Sequence, residues 1–244
     1  NDEGKNDVVF TYGRNIRYHS PQYIVNMVKE LKERFNIDHA SFLDENLMTM
    51  DAASGRIWLK DVCDLWIEEG LAPNRNAKLR SRKGVYWSGT SHATLHNSSI
   101  LKLMYEAGCT SLVYGLETFD PKILKNLGKG SNRKNNISSV SICMKSGIIP
   151  IPNIIIGFPE ETFESIRNTI TALIELGIHA KPHFATPYPG SEWYFKYKDA
   201  IIKQYDGILE NYILDLGDAS SISTTISEKF SAIELLGLQE LVAK

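Results

Sequence analysis

Along this 244-residue chain the apolar positions switch repeatedly between a two-residue and a 3.6-residue period, which predicts alternating strands and helices. Residues 8–12 and 16–19 read as short extended runs on either side of a turn at Gly13. Ser20-Pro21 then opens a helix, the serine as N-cap and the proline at the first helical position, with Ile24, Val25, Val28, Leu31 and Phe35 on its apolar stripe. Residues 39–43 form a strand that stops at the polar cluster Asp44-Glu45-Asn46. Ile57, Val62, Leu65, Trp66 and Ile67 mark a helix ending at Gly70, and a basic loop over residues 74–83 leads into a strand at 85–88. A helix through Leu101, Leu103, Met104 and Tyr105 closes at Gly108 and is followed by a strand at 111–114. Asp120-Pro121 caps a short helix over Ile123, Leu124 and Leu127, and another helix runs through Ile137, Val140, Ile142 and Met144 to Gly147. The near-continuous apolar run 151–156 predicts a strand buried on both faces. Ile166, Ile170, Leu173, Ile174 and Leu176 line the next helix, residues 180–185 form a last strand, an aromatic helix begins at Trp193, and residues 228–242 form a terminal helix.

Five strands separated by helices argue for successive βα units with right-handed crossovers. The fold class is α/β, and the length is that of one domain. Neither the Gly-x-Gly-x-x-Gly fingerprint nor a P-loop is present: Gly128-Lys129-Gly130-Ser131 follows a helix instead of a strand and reads as a helix-terminating loop.

Composition narrows the function. The chain carries 27 basic and 29 acidic side chains, a formal charge of -2, which makes no electrostatic case for nucleic acid or an anionic membrane. No apolar run approaches the roughly 18 residues of a membrane span, and the first residues are no signal peptide. Cys63, Cys109 and Cys143 lie far apart within or at the ends of helical patterns, and read as free core thiols of a reducing, cytoplasmic compartment. His92 and His96 stand four apart without a third ligand in sight, so no metal site is expected.

The chemistry concentrates where strands run into a glycine and then a carboxylate: Gly115-Leu116-Glu117 and Gly157-Phe158-Pro159-Glu160. In a parallel α/β fold the carboxyl ends of the strands hold the ligand. These turns belong to an ordered set that includes Arg17-Tyr18-His19-Ser20-Pro21, Phe42-Leu43-Asp44-Glu45-Asn46, Leu103 to Cys109, Tyr114 to Thr118, Leu124 to Gly130, Ile156 to Thr162 and Thr186 to Ser191. In that order and spacing, over residues 14 to about 195, the set resembles the radical S-adenosylmethionine enzymes, in the branch that often carries a cobalamin-binding domain and includes anaerobic magnesium-protoporphyrin ester cyclases.

The resemblance implies a partial (β/α)6 TIM-like barrel with residues 1–200 as its core and 201–244 as a C-terminal helical extension. It implies S-adenosylmethionine and a 4Fe-4S cluster as cofactors, a 5'-deoxyadenosyl radical, a small-molecule substrate, and an electron donor such as flavodoxin or ferredoxin, with cobalamin possible in the full-length protein. The family's CxxxCxxC loop, whose thiolates ligate the cluster, is absent. The first strand and that loop are therefore expected upstream of Asn1, and residues 1–244 alone are expected to be inactive. A noncatalytic barrel-type binding module is the alternative.

The resemblance also implies roles. Asp44, Glu45 and Asn46 are expected at the methionyl ammonium, their other reading being a helix N-cap or turn cluster. Ser88 and Ser91 end a strand where relatives carry polar or basic contacts to the methionyl carboxylate, although an arginine common there is missing. Tyr114, Gly115 and Glu117 are placed at the ribose or methionyl part, a carboxylate being able to accept from both ribose hydroxyls; the bland reading of Glu117 is a salt bridge to a nearby lysine. Ile155, Ile156 and Gly157 are expected to flank adenine, and Tyr188 to shape the substrate pocket. Glu160 is as well explained by a helix amino end.

Overall fold

A computed structural model of the chain describes residues 18–44, 46–75, 83–93, 97–217, 219–222 and 224–244. The expected extended runs before residue 18, together with Glu45 and His96, lie outside the described residues. The chain divides into two compact units, residues 1–113 with 142–150 and residues 114–141 with 151–244.

The five strands are β1 (His39–Ser41), β2 (Tyr86–Ser91), β3 (Cys109–Glu117), β4 (Ile149–Ile156) and β5 (His183–Phe184), in the order β1-β2-β3-β4-β5. Strands β1 and β2 pair in parallel, as do β4 and β5. Sequential order without a switch point is the topology of a singly wound, partial TIM-like barrel, not of a doubly wound sheet.

In the first unit, α1 (Pro21–Phe35) starts as expected: Ser20 Oγ accepts from the Tyr23 amide, and Asn36 ends the helix in the left-handed region at φ 51°. The short helix α2 (Leu47–Ala53), which the periodicity did not reveal, follows β1, and then come α3 (Trp58–Glu68) and α4 (Ser98–Glu106). Asn46 starts α2. The covered face of β2 carries Trp87, packed against Trp66 of α3 (6.3 Å between ring centroids) and Phe42 (5.4 Å). Both indole N–H groups are satisfied, by the carbonyls of Val85 and Ala107, as buried tryptophans require. The Arg75 guanidinium lies 3.8 Å from the Tyr105 ring centroid and donates to the carbonyls of Tyr105 and Cys109. Cys63, Cys109 and Cys143 are free and fully buried. Burial pushes the Cys109 thiol up, and Cys63 and Cys143 add to the rise.

In the second unit, α5 (Pro121–Leu127) follows β3, α6 (Arg133–Lys145) begins, and α7 (Phe163–Leu176) follows β4. Thr162 and Ser165 form a capping box at the start of α7. After β5 come α8 (Glu192–Lys196), α9 (Lys198–Gln204), α10 (Leu209–Asp215) and α11 (Ala232–Ala243). The last two elements bind into the unit through side chains: Tyr212 O–H donates to the Pro187 carbonyl at 2.6 Å and Gln239 Nε2 to the Pro182 carbonyl at 2.6 Å.

Two strand expectations are corrected. Strand β4 is buried on one face only: Pro152, Ile154 and Ile156 are covered, whereas Ile151 is 44% exposed and Asn153 and Ile155 are half-buried. The run looked apolar on both faces, apart from Asn153, because its open face also carries isoleucines. Strand β5 has two residues, not six: it pairs with β4 only at His183 and Phe184, and the Phe184 amide, on the side turned away from β4, donates to the Ala219 carbonyl. This also explains the prolines of β4. Ile156 directs its carbonyl to Ala185, so alternate residues back to Pro152 and Pro150 face the same side, along a stretch that β5 does not pair.

Candidate functional site

The site is built from the end of β3. From Ser111 on, burial along β3 alternates until Glu117, which is 5% exposed and sits at φ 62°. A left-handed conformation is unusual for a glutamate and costs on the order of 1 kcal/mol or more. The Thr118 amide donates to the Leu116 carbonyl at 2.7 Å, so Glu117 is the centre of a three-residue γ-turn. Asn136 of α6, fully buried, holds this turn by donating from Nδ2 to the carbonyls on both sides, Leu116 at 3.0 Å and Thr118 at 3.2 Å.

Downstream, Thr169 of α7 meets the Thr118 hydroxyl at 3.0 Å and accepts from the Phe119 amide. Arg133 donates to the carbonyls of Phe119 and Asn168. Asp120 caps α5 through the amides of Lys122 and Ile123 and accepts from Asn168 Nδ2. The backbone around Glu117 is thus fixed by side chains from α6 and α7.

The Glu117 side chain folds back over Gly115. A Cβ at Gly115 would stand 2.9 Å from Glu117 Oε1 and 3.6 Å from Lys129 Nζ, so only glycine leaves room for the carboxylate there. Lys129 donates to Glu117 Oε1; its own side chain is 44% exposed against 6% for Glu117. Glu117 Oε2 is buried and has no protein partner. A carboxylate oxygen in that state forfeits roughly 1–3 kcal/mol or more, and its natural complement is a ligand hydroxyl or ammonium.

The expected site residues of this unit divide by the pleat. Gly115 and Ile155 belong to the open strand faces, with the buried Glu117 side chain folded over Gly115, whereas Tyr114 and Ile156 are covered, at 0% and 1% exposure. Gly157 stands at φ 86°, with Leu235 3.0 Å from where its Cβ would be. Its amide donates to Glu161 Oε2 at 3.2 Å, and Ser165 Oγ donates to Glu161 Oε1. Glu161, not Glu160, is the buried carboxylate of the second turn; burial pushes it up to about 7, against opposing hydrogen bonds from Ser165 and Gly157.

Glu160 instead accepts from Asn126 Nδ2 at 2.7 Å and borders a cavity of about 540 Å³ with Phe158, Trp193, Lys196 and Tyr197. The cavity is formed by segments that follow β3, β4 and β5. Tyr188 is 41% exposed and donates its hydroxyl to the Gly217 carbonyl at 3.3 Å; it does not line that cavity.

In the first unit, Asn46 Oδ1 accepts from the Met48 amide at 3.0 Å, the N-cap role that was its other reading. Asp44 is exposed and its carbonyl accepts from Thr90 Oγ1. Ser88 lies 3.4 Å from the Ser41 hydroxyl, and Ser91 is buried on the covered face of β2.

Residue-level reading of the sequence missed Lys129, Asn136, Asn153 and Glu161. Lys129 sat in a loop explained by its glycines. Asn136 had a signal: it is a weak helix former at the i position of a stripe continued by Val140 and Cys143. Asn153, half-buried on β4 with a buried, unpartnered Oδ1, was the one polar residue in an apolar run. No group of three His, Cys, Asp or Glu side chains among the described residues could hold a metal ion. The three buried cysteines do not fit a cluster loop, and no step through a cluster is assigned to them.

Residues 3–173 match the Radical SAM superfamily. An uncharacterized methyltransferase of Pyrococcus horikoshii is 29% identical over 181 residues, 74% of this chain and 36% of its own length. Bacteriochlorophyllide d C-12(1)-methyltransferase of Chlorobaculum tepidum is 26% identical over 196 residues, 78% of this chain and 39% of its own. The chain therefore spans well under half the length of these relatives. Among solved structures, the radical S-adenosylmethionine methyltransferase TsrM from Kitasatospora setae, with cobalamin and a [4Fe-4S] cluster bound, superposes with a TM-score of 0.59 at 15% identity, covering 75% of this chain and 34% of that one. The cobalamin-dependent radical enzyme OxsB gives 0.53 at 14% identity over 93% and 32%. At those identities the structures show the shared fold, and the sequence match over residues 3–173 carries the assignment: the chain belongs to the radical SAM superfamily of enzymes, whose cofactors are S-adenosylmethionine and a 4Fe-4S cluster.

Proposed function

We propose that this chain is the S-adenosylmethionine-binding core of its enzyme, with Glu117 as the principal contact to the adenosyl part. One observation supports this above the others: Glu117 Oε2 is buried, unpartnered and held in a left-handed turn, beside a glycine that makes room for it. Such an acceptor suits the paired hydroxyls of a ribose. Lys129, already at Glu117 Oε1 and half exposed, keeps N–H donors for a ligand carboxylate. Ile155, on the open face of β4, offers an apolar surface to adenine. Tyr114, Ile156 and Gly157 support the strand ends. When bound, S-adenosylmethionine supplies the family's radical chemistry.

The rest of the proposal follows the relatives. Both curated relatives named above are methyltransferases, which favours methyl transfer onto a small-molecule substrate, with cobalamin available elsewhere in the full-length protein, as in TsrM and OxsB. A flavodoxin- or ferredoxin-like electron donor and a cytoplasmic setting complete the reading; among the described residues no helix is long and apolar enough to cross a membrane. Residues 201–244 form a C-terminal extension on a core of residues 1–200. Equilibrium dialysis with labelled S-adenosylmethionine tests the binding role: saturable uptake displaced by S-adenosylhomocysteine is expected, and uptake displaced by methionine but not by adenosyl compounds would refute it.

A further inference from the structure

We propose that Asn136 is a positioning residue for Glu117, setting the affinity of the site for an adenosyl ligand without touching that ligand. The inference rests on the reading of Glu117 as the ligand contact. Three observations carry it. Asn136 lies on α6, nineteen residues beyond Glu117, yet its amide donates to the two carbonyls that bracket Glu117 and to no other group. Its orientation has one solution, because turning the amide over would set an oxygen against two carbonyl oxygens. That solution leaves Asn136 Oδ1 buried and without a partner, a sacrifice of hydrogen bonding that a helix residue serving only to fill space does not require.

The third observation is the conformation being held. Glu117 is at φ 62°, where a residue with a side chain stays only if its surroundings determine it. The bonds from Thr169 and Arg133 fix the chain from Thr118 onward, whereas among the described residues only the Asn136 side chain links the carbonyls before and after Glu117. Without it, the turn relaxes toward negative φ and the carboxylate leaves its place over Gly115. In that account Glu117 supplies the chemistry and Asn136 supplies its address.

A double-mutant cycle tests this. Asn136→Leu keeps the volume and removes the donors; Asn136→Ser, which can bond only one carbonyl, carries the same test should the leucine variant not fold. S-adenosylhomocysteine is titrated calorimetrically into the wild-type chain, the Asn136 variant, Glu117→Gln and the double variant. The intraresidue amide-to-Hα contact that marks positive φ at Glu117 is followed by NMR in the absence of ligand. The expected result is that the Asn136 variant loses that marker and binds at least about tenfold more weakly, while the double variant binds no worse than Glu117→Gln. An Asn136 variant that keeps the marker and wild-type affinity, or losses that simply multiply, overturns the inference. Wild-type affinity in Glu117→Gln instead removes the underlying reading of Glu117, and the positioning role falls with it.

Discussion

Glu117, Gly115 and Lys129 act through space that a sequence shows only in part. The strand, glycine and carboxylate were legible as Gly115-Leu116-Glu117, and the salt-bridge reading of the glutamate is realised at one oxygen, which pairs with Lys129, while the other is buried without a protein partner. What was not legible is which glycine function applies: Gly115 is needed not for its φ but because a Cβ would meet the Glu117 carboxylate. Gly115→Ala is accordingly expected to leave the unfolding midpoint nearly unchanged while weakening S-adenosylmethionine binding several-fold in a calorimetric titration. Glu161 makes a different prediction. Its folded-state value of about 7 lies above the ordinary 4.5, so between those pH values the folded chain keeps a proton that the unfolded chain releases. Stability from this group is present in full below about 4.5 and is lost as pH rises toward 7, by on the order of 3 kcal/mol. Urea unfolding across that window should therefore fall with pH in the wild type relative to Glu161→Gln; parallel curves would show that the fold does not hold this proton.

Strands and helices were mostly legible because their periods are local. The starts of α1 and α5 were read from Ser20-Pro21 and Asp120-Pro121, and both caps are present. Helix α2 escaped because its seven residues span only two turns, and β5 was overextended because the length of a strand is set by its pairing with a distant one, here two residues of β4. The same nonlocality hid Asn136, whose partners are two carbonyls of another element. Asp120 links these levels, since it caps α5 and also accepts from Asn168 of α7. Asp120→Ala should cost about 1–2 kcal/mol in denaturant unfolding, and the loss should appear in adenosyl-ligand affinity as well, since the same segment follows the Glu117 turn.

Over the whole molecule, the order of the motifs revealed the family before any geometry, because seven weak turns in register constrain one another. The cysteines show the complementary limit. Their spacing excluded a cluster loop, and their convergence in the core of one unit, where Cys63 and Cys143 both act on Cys109, came only from the fold. All three thiols should resist aromatic disulfide reagents in the native chain and react together in denaturant; a rapidly reacting native thiol would contradict their placement. The central claim remains the adenosyl site at Glu117. Paired calorimetric titrations of S-adenosylmethionine into the wild-type chain and Glu117→Gln test it most directly: one-site binding weakened by about ten- to a hundredfold in the variant is predicted, and equal affinities in two equally folded proteins would contradict it.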